Sequence, residues 1–396
     1  MENLKKIYRS LRTEYRFIKG YFNRHFIRKN HSDKEKKRIL IILNFPQGWN
    51  TYKPILNAFS EYNCDVDLIA WTGTDYPNNI ADFWKAEIPE INISSPNRII
   101  SLDQFAPDIV FRQTPYEDEY PREYSANTIS KSAKLCYIPY GYEPSREKHL
   151  RIEYNYVFFP YVDAIFADNS STYNYCIDKK KESIFLADIQ VYDLGFPRFD
   201  LIKIEERQRS FKSFLWIPRW SVNSKDNDGT SFFSYFKFLV DFFAENKGCS
   251  LIIRPHPLMF SNFIKEGVLS KDNIDELKNS INRMQNVSLD ENSDYLESFS
   301  RADVLIADFS SIMIEFFISG KPIIYTGGTL DYNDASKKII DYMEVVNDWS
   351  ELKKRIEMKV EGIDPKYQER ISFIEQFRGG TGSIAKRIVE VSAKEL

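Results

Sequence analysis

The feature that most limits the fold is an alternation of short apolar runs with amphipathic stretches, which restarts halfway along the chain. Apolar runs at 39–43, 66–71, 108–112, 135–138, 164–167 and 191–194 are separated by helical patterns. A second series begins after about residue 200, with runs at 214–217, 251–254, 287–289, 304–307 and 323–325. Helical periodicity covers about 230–246, 292–300, 311–319, 349–360 and 383–391. Strands alternating with helices in this way build a parallel sheet wound on both sides. The 396 residues therefore predict two Rossmann-like, doubly wound α/β domains, 36–203 and 204–380, facing a central cleft, with a closing helix over 381–396. Ligands of such sheets bind beyond the carboxyl ends of the strands, so motifs directly after apolar runs matter most.

Ahead of the first run lies a basic arm, 1–35. Leu4, Ile7, Leu11, Tyr15, Ile18, Phe22 and Phe26 recur at steps of three and four, which puts them on one helix face. Lys5, Lys6, Arg9, Arg12, Arg16, Lys19 and Arg24 flank that stripe. Two readings stay open: a helix lying on an anionic membrane surface through residues 1–30, or one packed on its own domain or on a second subunit. Residues 29–38 read as a solvated linker. Residues 1–38 hold 13 basic and 4 acidic side chains, a balance of +9, while the remainder holds 41 and 53, a balance of -12. A basic arm on an acidic body argues against a nucleic-acid binder, whose basic surface belongs on the folded domain.

Composition narrows the class further. Hydrophobic residues at 43% and charged residues at 28% suit full cores rather than disorder. No stretch has the roughly 18 consecutive apolar residues of a spanning helix, and no apolar leader with a small-residue cleavage site opens the chain. Cys64, Cys136, Cys176 and Cys249 are scattered, without a CxxC pair, so neither a zinc knuckle nor a disulfide framework is indicated. The expectation is a cytoplasmic protein.

Five motifs follow apolar runs. Arg254-Pro255-His256-Pro257 holds an imidazole between two prolines that stiffen the loop. Such a histidine suits donation to a phosphate oxygen or to a leaving group, or else pairs with a local carbonyl. Asp308-Phe309-Ser310-Ser311 runs from a buried strand into a helix, where free N–H groups and serine hydroxyls attract phosphate, though serine also serves as an ordinary N-cap. Glu315, one turn on, is placed to accept from ribose hydroxyls or to pair with a lysine. Gly195-Phe196-Pro197-Arg198 and Pro218-Arg219-Trp220 each set an arginine beside a proline, so that Arg198 and Arg219 are candidate phosphate clamps or interdomain ion pairs. Tyr140-Gly141-Tyr142-Glu143 faces the acceptor side, with Glu143, Tyr140 and His149 as candidate bases and Gln113 as a candidate lining residue. Glu117, Asp118 and Glu119 read as a solvated acidic loop. No metal-binding cluster, Walker loop or GxGxxG stands out, so no tightly bound cofactor and no metal are expected.

In this order the motifs resemble the CDP-glycerol:polyol glycerophosphotransferase family, the teichoic-acid polymerase group, over about residues 135–392. Gly195 to Asp200 resembles its G-x-P-R-x-D, and Arg254 to Pro257 its R-P-H-P. Ala302 to Ser311 with Lys321-Pro322 resembles its A-D-x-L-I-[ST]-D-[YF]-S-S…K-P, and Gly379-Gly380 to Ile388 its ending. Phe214 to Trp220 is similar to its strand ending in P-T-W-R, with Pro-Arg-Trp here. The family's W-H-G-T loop reads Pro139-Tyr140-Gly141-Tyr142, without a histidine.

The resemblance implies a GT-B fold and a cytidine nucleotide donor as substrate. It implies that His256 acts at the donor phosphates and that Ser310 and Ser311 bind phosphate, with Arg254, Arg219, Asp308, Glu315, Gly195 and Arg198 around them. On the acceptor side it leaves Glu143 or Tyr140 as base beside Gln113, Gly141 and Tyr142. The expected function is transfer of a glycerol-phosphate or related polyol-phosphate group from a CDP-linked donor to an acceptor hydroxyl on a polymer, glycan or lipid, with release of CMP. Such work in teichoic-acid or capsule synthesis places the protein peripherally on the inner face of the membrane. Kept as alternatives are a glycosyltransferase using a CMP- or other nucleotide-linked sugar, a nucleotide-sugar epimerase of the same fold, and a non-catalytic scaffold.

Overall fold

The computed structural model describes residues 2–28, 36–73, 80–144, 147–204, 212–222, 229–292, 295–327, 332–378 and 382–396. The linker stretch 29–35 and Gly379-Gly380 lie outside the described residues, as does the side chain of Leu4. The chain divides into two compact units, Met1–Leu201 with Thr381–Leu396, and Ile202–Gly380.

The first unit is built on seven parallel strands: β1 (Lys37–Leu43), β2 (Cys64–Trp71), β3 (Asn92–Ser94), β4 (Ile109–Arg112), β5 (Lys134–Tyr137), β6 (Ala164–Ala167) and β7 (Gln190–Asp193). They are ordered β3-β2-β1-β4-β5-β6-β7. Ile39 to Leu43, the whole of β4 and the whole of β6 are buried, as expected of parallel strands covered on both faces. The order reverses between β1 and β4, so the loops after these strands flank the switch point where such sheets bind ligands.

The second unit repeats the plan with six strands: β8 (Ser213–Ile217), β9 (Ser250–Ile253), β10 (Val287–Leu289), β11 (Val304–Ala307), β12 (Ile323–Tyr325) and β13 (Glu344–Val345). Their order is β10-β9-β8-β11-β12-β13, with the switch point between β8 and β11. Ile217 lies level with Ala307, so the Arg219 loop and the Asp308–Ser311 turn leave the sheet side by side. Phe214, Trp216, Leu251, Ile253, Val304 and Ile306 form the middle of its core, against Phe232, Leu239 and Phe243.

The arm is a helix, Glu2–Phe22, ending in a wider turn, Asn23–Ile27. It docks on the first unit through a different face from the predicted stripe. Phe17 is buried, and a Cβ on Gly20 would stand 2.1 Å from the Pro160 carbonyl oxygen, so the close approach requires glycine. Asn23 donates to the Ser130 hydroxyl at 3.0 Å, Arg24 pairs with Asp188 at 2.7 Å, and Arg28 grips Asp163 with both nitrogens at 2.8 Å. Ile7, Leu11, Tyr15, Ile18, Phe22 and Phe26 face outward, from 47% exposed at Ile18 to 67% at Phe26.

The C-terminal helix, Ile384–Lys394, belongs to the first unit. Asp200 fixes its start by accepting from the Ser383 hydroxyl and from the N–H groups of Ile384 and Ala385. Among the described residues no helix is long and apolar enough to cross a membrane.

Candidate functional site

In the second unit, β11 ends at Ala307 and the chain turns at once into the helix Ser311–Ile318. The turn is held by Asp308. This buried carboxylate accepts from the N–H groups of Arg219 and Ser231, each at 2.8 Å, and from the Thr326 hydroxyl at 2.8 Å. Burial raises its pKa, against the pull of those hydrogen bonds. Asp308 thus ties three loops together and is not available as a nucleotide ligand. The expectation for that residue is corrected on this ground.

Ser310 sits at the N-cap position with extended backbone, φ -158° and ψ 144°, yet its side chain makes no capping hydrogen bond. The ordinary reason for a serine here is therefore absent. Its hydroxyl and that of Ser311 stand at a helix start, where N–H groups and the macrodipole favour an anion. Arg219 lies beside them: its Nη1 donates to the Phe309 carbonyl at 3.4 Å, its Nε to the Ser221 hydroxyl at 3.0 Å, and its guanidinium lies over the Phe309 ring.

His256 follows β9. The Leu258 N–H donates to its Nδ1 at 3.2 Å, which leaves the ring proton on Nε2. The residue is exposed to solvent, with its ring near the Trp220 indole. Desolvation first, and the Arg219 charge second, push its pKa down to about 4. At neutral pH it is an uncharged imidazole that presents one N–H.

Two further residues of this unit depart from expectation. Arg254 is held by Asp290 at 2.5 Å and by the Asn292 carbonyl at 2.6 Å, which makes it a brace between the ends of β9 and β10. Glu315 is fully buried and accepts from the Tyr295 hydroxyl, so it does not reach a ribose.

In the first unit, most acceptor-side residues organise loops. Gln113 is buried, and its Oε1 accepts from the N–H groups of Asn44 and Phe45 at 2.8 and 2.7 Å. Tyr142 packs on Phe196 and Phe199. Arg198 is buried and donates to the Thr51 hydroxyl and to the carbonyls of Gln47 and Tyr140, so it braces the acceptor loop instead of clamping phosphate. Gly195 takes φ +90° against Ile384 of the closing helix, a turn that demands glycine and not a phosphate contact. Glu117 pairs with the buried Arg112 at 2.5 Å and Glu119 accepts from Asn44 at 2.8 Å, so these two carboxylates are tied down, while Asp118 is exposed as expected.

Tyr140 meets the Tyr116 hydroxyl at 3.2 Å. Burial, then the charges of Tyr116 and Glu153, push its phenol far above the usual range, which removes it as a base. Gly141 is open on its Cα side. Glu143 is anchored through its N–H on Asp168 at 2.6 Å, and its Oε2 lies 3.5 Å from His149 Nε2. Glu153, from the helix Glu147–Glu153, accepts from the Tyr137 hydroxyl at 2.5 Å. One ligand atom from each of Glu143, His149 and Glu153 falls within 4.8 Å of the other two. Burial raises the pKa of Glu153 strongly and that of Asp168 to about 7. This trio is the grouping that sequence reasoning missed: Glu153 sits in no motif, and its burial shows only in the fold.

Over residues 168–391 the chain matches the family model described as CDP-Glycerol:Poly(glycerophosphate) glycerophosphotransferase. The minor teichoic acid biosynthesis protein GgaB of Bacillus subtilis (strain 168) is 27% identical over 172 residues, which is 39% of this chain and only 16% of that protein's length. The wall teichoic acid polymerase TagF has the same architecture at 14% identity, with 98% of this chain and 96% of that chain covered and a TM-score of 0.52. So does UDP-GlcNAc 2-epimerase from Neisseria meningitidis, solved with UDP-GlcNAc, at 14% identity, 90% and 99% coverage and a TM-score of 0.61. At such identities these two structures speak for the GT-B fold alone. The match to the family model runs through the second sheet, the His256 loop and the Ser310-Ser311 turn and takes in more than half of the chain, which therefore belongs to the CDP-glycerol:poly(glycerophosphate) glycerophosphotransferase family.

Proposed function

We propose that the protein transfers a glycerol-phosphate or related polyol-phosphate group from a CDP-linked donor to an acceptor hydroxyl in the synthesis of a teichoic acid or capsule polymer. The observation that carries this reading is the Ser310 hydroxyl, left off its cap at a helix start beside Arg219. That arrangement suits a phosphate better than it suits helix capping. In the reaction the acceptor oxygen bonds to the distal phosphorus of the donor, the bond from that phosphorus to the bridging oxygen breaks, and CMP leaves with the electron pair. Arg219, Ser310, Ser311 and the Nε2–H of His256 stabilise the charge that gathers on the leaving phosphate, a service expected to dominate catalysis in phosphoryl transfer. Within the first unit, Glu143, whose carboxylate has His149 beside it, is the candidate base for an acceptor hydroxyl.

The arm supports a place for this work. An outward apolar stripe bordered by Lys5, Arg12 and Lys19 suits an anionic membrane surface, such as the inner leaflet of a bacterial membrane.

The direct test is thermal unfolding with CDP-glycerol, CDP-ribitol, CMP-sugars, CMP, UDP-sugars and GDP-sugars. A ligand at one hundred times its Kd adds about 2.7 kcal/mol. Stabilisation by cytidine nucleotides that is lost in Ser310→Ala is expected. Stabilisation by uridine or guanosine sugars alone would remove the CDP-donor reading.

A further inference from the structure

We propose that Glu143, His149 and Glu153 form a binding site for one divalent cation, of the Mn²⁺ or Zn²⁺ class. Their three ligand atoms lie within 4.8 Å of one another. Ligands about 2.0–2.2 Å from an ion stand at most roughly 4.4 Å apart. The difference is small, and His149 can close it, because its side chain is the most exposed of the three at 39%.

A second observation is independent of that spacing. Glu153 and Asp168 are each only 3% exposed and stand next to Glu143. Among the described residues no lysine or arginine pairs with either. Carboxylates gathered in a dry place need protons or a cation to hold them there. The surroundings also fit a ligand set. The Tyr137 hydroxyl orients Glu153, and Asp168 receives the Glu143 N–H, which fixes the backbone from which that carboxylate projects. One imidazole nitrogen with two carboxylate oxygens selects a borderline ion over Mg²⁺ or Ca²⁺, which prefer oxygen throughout.

The site stands whatever donor the second unit takes.

The experiment uses the full chain, stripped with a chelator and titrated with MnCl₂ while free Mn²⁺ is followed by electron paramagnetic resonance, then with ZnCl₂ by calorimetry. One ion per chain is expected, with a rise in melting temperature. Glu153→Gln and His149→Ala should each weaken binding by at least about tenfold. Glu153→Gln keeps the shape of a protonated Glu153, so its metal-free melting temperature should match or exceed that of the parent protein. Either of two results would overturn the proposal: no stoichiometric binding of Mn²⁺ or Zn²⁺ at millimolar concentration, or binding by Glu153→Gln as tight as by the parent. The latter would mean that Glu153 holds a proton and not a metal.

Discussion

At the scale of single residues, the chemistry turns on which groups keep a free hydrogen and which have given theirs away. His256 has its Nδ1 occupied by the Leu258 N–H and keeps one proton on Nε2. A neutral donor of this kind can strengthen its bond as charge gathers on a phosphate oxygen. His256→Ala should therefore lose about 10²–10³ in turnover, while nucleotide affinity, read by thermal shift, falls much less. Equal losses in both would assign His256 to ground-state binding. Its low pKa also has a sign for stability. An unfolded histidine titrates near 6.5, so between that pH and about 4 the unfolded chain binds more protons than the folded one. The His256 contribution is present above pH 6.5 and lost as the pH falls through that window. Thermal unfolding from pH 7 to pH 4 should show a shallower decline in His256→Gln than in the parent. The motif strings located this chemistry but did not sort it. Ser310 and Asp308 stand two positions apart in one motif, and only the fold shows that the carboxylate is turned to backbone N–H groups while the serine hydroxyl makes no capping bond.

At the scale of elements, Asp308 ties the turn before Ser310 to the loops around it. The loops after β8 and β12 and the entry to the helix Phe232–Glu245 all end on one carboxylate. Asp308→Ala would strand the buried Ser231 N–H, the half-buried Arg219 N–H and the Thr326 hydroxyl, and a buried group left unsatisfied costs about 1–3 kcal/mol. A loss of roughly 2–4 kcal/mol in denaturant unfolding is expected, with nucleotide affinity falling because Arg219 loses its anchor. Unchanged stability would mean that the loops are held by other contacts. The strands themselves were readable. Runs such as Val304–Ala307 are apolar at every position because both faces are covered, and such runs survive inspection without a structure. The short edge strands β3 and β13 were not, since Asn92–Ser94 and Glu344–Val345 pair on one side and carry no apolar run. The arm shows a different limit. Periodicity identified its helix and its apolar face, yet docking uses Phe17, Gly20, Asn23 and Arg24, because a single buried phenylalanine off the stripe, a glycine contact and charge-assisted bonds set up no periodic apolar pattern.

At the scale of the whole molecule, charge and apolar surface are sorted along the chain in a way that folding alone does not require. The first 38 residues carry a balance of +9 and the rest -12. The end of the arm is pinned to its unit by Arg24 and Arg28, so the outward face of Glu2–Phe22 is held in a fixed attitude. Because Leu11 and Ile18 are about half exposed or more, replacing both with glutamate should cost the fold little, within about 0.5 kcal/mol per site. The same change puts negative charge and polar groups on the surface proposed to enter the headgroup region. Each basic residue near an anionic surface contributes about 1 kcal/mol, and that attraction fades within a Debye length of roughly 8 Å at physiological salt. Sedimentation with phosphatidylglycerol vesicles should therefore retain the parent protein at low salt and release it at high salt. Phosphatidylcholine vesicles should retain little of it, and the Leu11→Glu, Ile18→Glu variant should stay in the supernatant with an unchanged melting temperature. If that variant sediments like the parent, the arm is not the membrane contact. If the parent ignores the vesicles but changes from dimer to monomer on the same two substitutions, the stripe is covered by a second copy of the chain.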